Sequence, residues 1–242
     1  MSAIQMDKIM MKRLLRAGTF SGRTHLQMSF CFRQLLWSWG QASASFTKRV
    51  LDVVGSALLI AALTPVMLFV ALCIKIEDGG PIMFAQTRVG KFGRLFKMYK
   101  FRSMCMNAEA RMAEVLARNQ HQTGITFKIK DDPRITKIGK WIRKLSLDEL
   151  PQLFNVFKGE MSLVGPRPPV PREVALYSQA DRRRLYVTPG ITCFWQVGGR
   201  SEIDFPQQVE LDVKYIERQS FWLDVVLLLK TVPAVFFSKG AY

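Results

Sequence analysis

The sequence predicts an α/β fold of the helix-rich α+β kind: a domain with one short β-hairpin, held at a membrane by a broken apolar helix and by interfacial amphipathic helices. Three observations carry this. Residues 53–74 form a run of 22 without a charge, interrupted at Thr64-Pro65. Beyond residue 78 the pattern turns soluble, with helix-period and strand-period segments separated by glycine and proline turns. The 242 residues carry a formal charge of +16 with 49% hydrophobic and 22% charged residues. That is too apolar for a disordered chain and long enough for one ordinary domain plus an extension.

Residues 1–46 form a basic extension in which Lys8, Lys12, Arg13, Arg16, Arg23 and Arg33 are nearly unopposed. Phe30, Phe32, Leu35, Leu36 and Trp37 are apolar but too short and too late for a secretory leader. A poorly ordered arm and a membrane-surface helix both fit, and the arm is preferred. As a helix, residues 53–74 would reach about 33 Å, enough to cross a bilayer core. Pro65 removes a backbone donor and kinks the helix. Both flanks are basic, Lys48 and Arg49 before and Lys75, Arg88 and Lys91 after, and basic flanks favour the cytoplasmic side. An ordinary kinked span is tolerated in membranes, but a helix that enters one leaflet and turns back satisfies both flanks and is favoured.

Residues 81–84 and 94–101 predict two short strands around an 88–93 turn, and residues 105–118 an amphipathic helix. Residues 120–124 predict a loop, 135–145 a helix or a strand, and 147–157 a helix. Residues 165–171 hold four prolines and exclude regular structure. Residues 205–217 predict a helix. Residues 221–237 are very apolar but include Asp224, Lys230 and Pro233, which suits a helix lying in the membrane interface, with a core helix nearly as good a reading.

The excess of positive charge favours a polyanionic neighbour: nucleic acid, anionic lipid or phosphorylated substrate. The four cysteines, Cys31, Cys73, Cys105 and Cys193, include no C-x-x-C pair and are expected to be reduced thiols. With only His25 and His121, a zinc site or a Ser-His-Asp triad has few candidates, and His121 sits in a polar stretch that reads as loop. Residues 88–94 lack the phosphate-binding glycine-loop spacing. No RNA-binding strand signature is present, so no nucleic-acid partner is expected.

Ser146-Leu147-Asp148-Glu149-Leu150-Pro151 is the most informative segment. Ser146 and Glu149 fit a capping box. Two carboxylates at a helix N-terminus would have lowered pKa values and stay ionised. An ionised carboxylate can attack phosphorus or hold Mg²⁺. Alone, these six residues read more simply as a capped helix. Their surroundings add weight: Arg143 upstream, Arg167 held between Pro166 and Pro168, and Lys100, Arg102 and Arg200 beside strand ends or glycines. Lys137, Lys140 and Lys144 read instead as cations facing lipid headgroups.

Over residues 47–242 the chain resembles the bacterial sugar transferases, the monotopic polyprenyl-phosphate phosphoglycosyl transferases. The resemblance rests on Lys48-Arg49-Val50-Leu51-Asp52, the helix break at Thr64-Pro65, Gln86-Thr87-Arg88-Val89-Gly90 and Tyr99-Lys100-Phe101-Arg102-Ser103-Met104. It continues through Asp132-Pro133-Arg134-Ile135-Thr136, the Ser146 segment extended to Gln152-Leu153, Val164-Gly165-Pro166-Arg167-Pro168, Pro189-Gly190-Ile191-Thr192 and Gly240-Ala241-Tyr242.

The resemblance implies transfer of a sugar 1-phosphate from a UDP-sugar to undecaprenyl phosphate, with release of UMP, as the first membrane step of exopolysaccharide, capsule or O-antigen synthesis. It makes Asp148 the nucleophile that forms an aspartyl-phosphosugar and Glu149 its partner, with Mg²⁺ as cofactor held by Asp148 and Glu149. Lys100, Arg102, Arg143, Arg167 and Arg200 become phosphate-binding candidates, and Pro166, Pro168 and Asp212 further substrate-site candidates. It divides the chain into a basic extension (1–46), a re-entrant membrane helix turning at Thr64 and Pro65 (47–77) and a catalytic domain (78–242) on the cytoplasmic face of the bacterial inner membrane. Partners would be the UDP-sugar, polyprenyl phosphate and membrane lipids, with a homodimer left open. The Gly-Ala-Tyr ending favours UDP-glucose or UDP-galactose. Thr64 stands where the family has serine, Cys193 where glycine is usual, and Gly198 where a small polar residue is usual. The last two border Arg200 and weaken its assignment. A non-catalytic, basic, membrane-anchored binding protein is the rival reading, and it would not need Asp148 or Glu149. A single-span regulator that binds nucleic acid is a second.

Overall fold

Helix α1, Phe20–Asp78, is 59 residues long. Its stretch Ser45–Asp78 is long and apolar enough to cross a membrane. The computed structural model describes residues 20–108, 110, 132–198 and 203–237. The helix and loop expected at 105–124, with His121, lie largely outside these residues, as do Arg200 and the Gly-Ala-Tyr ending. Contacts divide the chain into two units, Met1–Thr47 and Lys48–Tyr242. In the first, residues 20–47 are helical, which corrects the preference for a poorly ordered arm over that stretch. The physical reason is local: no proline interrupts the chain from Phe20 to Thr64.

In the second unit, burial along α1 is uneven. Asp52 and Ser56 are buried near one end and Val70 and Ile74 near the other. Between them Leu58, Leu59, Val66, Leu68 and Phe69 are exposed. The helix assignment runs through Thr64 and Pro65. The Thr64 hydroxyl donates to the Ile60 carbonyl (2.6 Å) within the turn the proline disturbs.

Strands β1 (Met83–Val89) and β2 (Leu95–Phe101) form an antiparallel hairpin with Val89 opposite Leu95. β1 extends further than the 81–84 expectation, because polar Gln86, Thr87 and Arg88 find partners in an edge strand: Lys97 Nζ donates to Thr87 Oγ1 (2.9 Å) and Arg88 to Gln86. The turn is therefore shorter, closed by Gly90 N–H to the Arg94 carbonyl (2.7 Å).

The 135–145 ambiguity resolves as helix α2, Lys137–Lys144, capped by Thr136. Its first amides also donate to Glu77 Oε1 at the end of α1 (Lys137 N at 2.9 Å). Helix α3, Gln152–Lys158, ends on Gly159 at φ 91°, a left-handed position that suits glycine. Arg49 donates to the carbonyls of Val156 (2.7 Å) and Phe157 (2.8 Å) at that end, where a cation opposes the helix dipole.

Strand β3 (Ser162–Val164) pairs in parallel with β4 (Gly190–Thr192). Between them lie α4 (Pro171–Ala175) and a tight turn, Asp181–Tyr186. After β4 come α5 (Phe194–Gly198), α6 (Phe205–Arg218) and α7 (Phe221–Phe237). The main core gathers Met98, Leu153, Val156, Leu163, Tyr215 and Leu227. A second cluster packs Val70 and Ile74 of α1 against Phe101 and Ile142. Helix α7 packs one face into the core, with Leu227 and Asp224 buried, while Trp222 (74%) and Leu229 (68%) are exposed.

Candidate active site

Asp148 and Glu149 lie in a single 3₁₀ turn, Leu147–Glu149, and not at the head of a continuous helix. The predicted capping box does not form: Ser146 adopts a left-handed conformation (φ 55°) and its side chain caps nothing. Pro151 is the cause. It has no N–H for the Leu147 carbonyl, so that carbonyl takes the Leu150 amide (3.2 Å), and α3 starts only at Gln152. A non-glycine residue at positive φ is strained, and such strain is held where the surroundings over-determine it. Here it turns Asp148 inward to 8% exposure.

The two carboxyls are in unlike surroundings. Lys100, on β2, donates to Glu149 Oε1 (2.7 Å) and stands 3.9 Å from Asp148 Oδ2. Arg167 Nη1 is 3.5 Å from the same Glu149 oxygen. Lys100, Arg167 and Arg88 together overcome burial and hold the Glu149 carboxyl at about 2. Asp148 goes the other way. Burial raises it, the neighbouring Glu149 adds to that, and Lys100, Arg143 and Arg167 offset only part. The expectation that both carboxylates are lowered is corrected for Asp148: a 3₁₀ turn offers little dipole, and desolvation of the charged form dominates.

Arg167 is placed by close backbone contact. The Gly165 amide donates to the Thr192 carbonyl (2.9 Å) and the Gly190 amide to the Pro166 carbonyl (2.9 Å). A methyl on Gly190 would lie 2.0 Å from the Gly165 nitrogen, so only glycine allows β4 so near the loop. On the other side Arg88 Nη1 donates to the Pro168 carbonyl (2.9 Å) and the Val89 amide to Pro169 (2.9 Å). Burial and the nearby Arg167 lower the Arg88 guanidinium to about 10.

Of the predicted residues, Asp148, Glu149, Lys100 and Arg167 come together, flanked by Pro166 and Pro168. Arg143, in the last turn of α2, is half-buried, and its charge bears on Asp148. Arg102 is buried and ion-paired with Asp78, at the end of α1, and its Nη1 has no hydrogen-bond partner among the described residues. Asp212 is buried and ion-paired with Arg184, and burial lifts its carboxyl to about 6. Among the described residues no group of three potential metal ligands occurs. Cys73, Cys105 and Cys193 are free, as expected.

Sequence reasoning missed Arg88 as a member of the site, treating it as a basic flank, a turn residue and part of a resemblance motif. It also missed Asn155, whose fully buried amide accepts from the Tyr99 amide (3.0 Å) and donates to the Lys97 carbonyl (2.7 Å), serving the edge of β2 as another strand would. An asparagine on the apolar face of the 152–158 helix was the available signal.

The family model of the bacterial sugar transferases matches residues 43–238, and the chain belongs to that family. It is 45% identical over 240 residues to a galactosyl transferase, CpsE, of Streptococcus agalactiae, covering 99% of this chain and 51% of that one. It is 43% identical over 203 residues to an undecaprenyl-phosphate galactose phosphotransferase of Salmonella typhimurium, covering 83% and 42%. It is 42% identical over 199 residues to an exopolysaccharide production protein, ExoY, of Sinorhizobium fredii, covering 81% and 88%. The chain thus spans about half the length of the first two relatives and most of the third.

Proposed function

We propose that the protein transfers a hexose 1-phosphate from a UDP-sugar to undecaprenyl phosphate at the cytoplasmic face of the bacterial inner membrane, opening exopolysaccharide or related polysaccharide synthesis. The observation that carries this is the unlike pair: a buried Asp148 beside an ionised Glu149, with Lys100 bridging both. An Asp148 oxygen attacks the sugar-side phosphorus, the bond from that phosphorus to the bridging oxygen of UMP breaks, and UMP leaves. An oxygen of the lipid phosphate then attacks the aspartyl-phosphosugar and frees Asp148. Lys100 and Arg167 offset the negative charge that otherwise repels an anionic nucleophile from a diphosphate. Arg143 and Arg200 remain candidates for the phosphates of the two substrates.

Mg²⁺ fits a pair of adjacent carboxylates joined by substrate phosphate oxygens, its usual donor set. Asp148 and Glu149 would hold it, and it would neutralise charge on the transferring phosphate. The relatives named for galactose favour UDP-galactose, with UDP-glucose next; another relative is named as an undecaprenyl-phosphate glucose phosphotransferase.

The membrane reading is a re-entrant α1. It is supported by the ties at both ends of the apolar segment to one domain. Near one end Asp52 Oδ1 accepts from Ser162 Oγ and the Leu163 amide (both 2.9 Å); at the other, Asp78 pairs with Arg102 and Glu77 accepts from the head of α2. A span would carry one set of ties across the bilayer. The exposed apolar stretch between the buried ends supplies the membrane-inserted turn.

The test is UMP release by detergent-purified protein with undecaprenyl phosphate, Mg²⁺ and UDP-galactose or UDP-glucose. We expect release that needs lipid for multiple turnovers and is lost in Asp148→Asn. Equal release by that variant would remove Asp148 as nucleophile.

A further inference from the structure

We propose that Lys48, Tyr215 and Asp224 form a positioning unit that fixes the Val164 carbonyl and thereby sets where the Arg167 guanidinium stands beside Glu149. The base of the anchor helix is thus joined mechanically to the phosphate-binding loop. The inference rests on Arg167 binding the donor diphosphate in the proposed reaction.

Four elements converge here: α1, β3 and the consecutive helices α6 and α7. Lys48 Nζ donates to Asp224 Oδ2 (2.6 Å), the Val164 carbonyl (3.0 Å) and the Tyr215 oxygen (3.2 Å), which accounts for all three of its protons. The single Tyr215 proton has Asp224 Oδ1 (2.8 Å) and the Val164 carbonyl (3.1 Å) as acceptors. Tyr215 and Asp224 are each 1% exposed, so bulk water has little access to replace a lost partner. Docking α1 does not require this much, since Arg49 and Asp52 already tie it to α3 and β3.

The Val164 carbonyl matters because it stands at the root of the loop that bears Arg167. Only Gly165 and Pro166 separate it from Arg167, along a segment with little slack. The Gly165 amide and the Pro166 carbonyl are both bonded to the β4 segment, and Pro166 and Pro168 have fixed φ. The Val164 carbonyl also accepts from Ser162 Oγ (2.9 Å), and the ties that follow it leave the segment little freedom to absorb a shift before Arg167. The spread of a buried polar network over separate elements is a common way for such a unit to hold one arrangement.

The test uses the full-length chain in detergent, with UDP-galactose and UDP-glucose as donor probes and undecaprenyl phosphate saturating. Tyr215→Phe keeps the ring and removes the hydroxyl. Its donor KM should rise about fivefold or more, with the amplitude of the UMP burst unchanged. In an Arg167→Lys background the same substitution should change donor KM less than about twofold, because it acts through a guanidinium already gone. Lys48→Met combined with Asp224→Asn, which leaves no lone buried charge, should show the same dependence on Arg167. A lower burst amplitude at unchanged donor KM would mean that the unit only supports folding, and would overturn the proposal. Equal effects with and without Arg167 would also overturn it. Wild-type protein that releases no UMP would refute the functional reading and this inference together, whereas normal wild-type turnover with unchanged variant KM refutes the inference alone.

Discussion

In the proposed reaction Asp148 attacks phosphorus, which requires a carboxylate that is poorly solvated yet ionised at working pH, and Asp148 is held between these demands. Burial raises its pKa and Lys100 is the largest of the effects opposing that rise. The reactive form is the carboxylate, so activity is lost as pH falls through the Asp148 pKa. The acid limb of kcat/KM for the donor should lie above the ordinary 3.8, and Glu149, at about 2, should add no limb of its own in that range. Lys100→Met removes a charge that lowers Asp148, so the limb should move to higher pH, measured as a pH profile of UMP release. The plateau should also fall by roughly 10²-fold, as when one preorganised electrostatic donor is removed. Asp148→Asn should lower turnover by at least ~10³-fold, because the proposed nucleophile is lost. The cluster was partly legible in the sequence, because adjacent acids among cations pointed to its residues. Their opposite shifts were not legible, because they depend on how Pro151 breaks the turn and on how deeply each side chain is buried.

At the scale of elements, the site depends on short pieces held by backbone contact. The loop bearing Arg167 is fixed because β3 and β4 approach through Gly165 and Gly190, with no room for a side chain. Gly190→Ala would place its Cβ 2.0 Å from a backbone nitrogen, and backbone cannot yield as a side chain end can. It should lower stability by about 3 kcal/mol or more, read as a fall in the midpoint of detergent-solubilised thermal unfolding. Gly198→Ala is the control: among the described residues nothing lies within 4 Å of the added Cβ, so its effect should stay within about 0.5 kcal/mol. The helices α3, α6 and α7 were legible from apolar spacing, a local signal, whereas the alternating apolar and basic residues of 135–145 left α2 open between helix and strand. The parallel β3–β4 pair was not legible. Each strand is three residues long, and their partnership is set by contact between distant segments, which local periodicity does not encode.

At the scale of the whole molecule, the proposed reaction joins a soluble substrate to one confined to the bilayer, which would require the dyad to work at headgroup level. The ties of α1 make that placement testable. Val50 (44% exposed) and Ile76 (74% exposed) lie at the two ends of the apolar segment and outside the proposed positioning unit. Each is replaced singly by cysteine in a chain whose native cysteines are serine or alanine. Inside-out membrane vesicles are then treated with a membrane-impermeant maleimide. A re-entrant α1 puts both positions on the cytoplasmic face, so both should label in inside-out vesicles and neither in right-side-out ones. A span puts them on opposite faces, so each vesicle orientation would label one position only. A cysteine at Leu59 or Phe69, exposed and apolar between the buried ends, should resist the reagent in both orientations and become reactive on solubilisation if that stretch lies in lipid. Labelling of either in intact vesicles would remove the membrane-inserted turn. The charge on both flanks of the apolar run already favoured one side of the membrane. The structure adds that two sets of polar ties, Asp52 with Ser162 and Asp78 with Arg102, would have to be broken for the helix to cross.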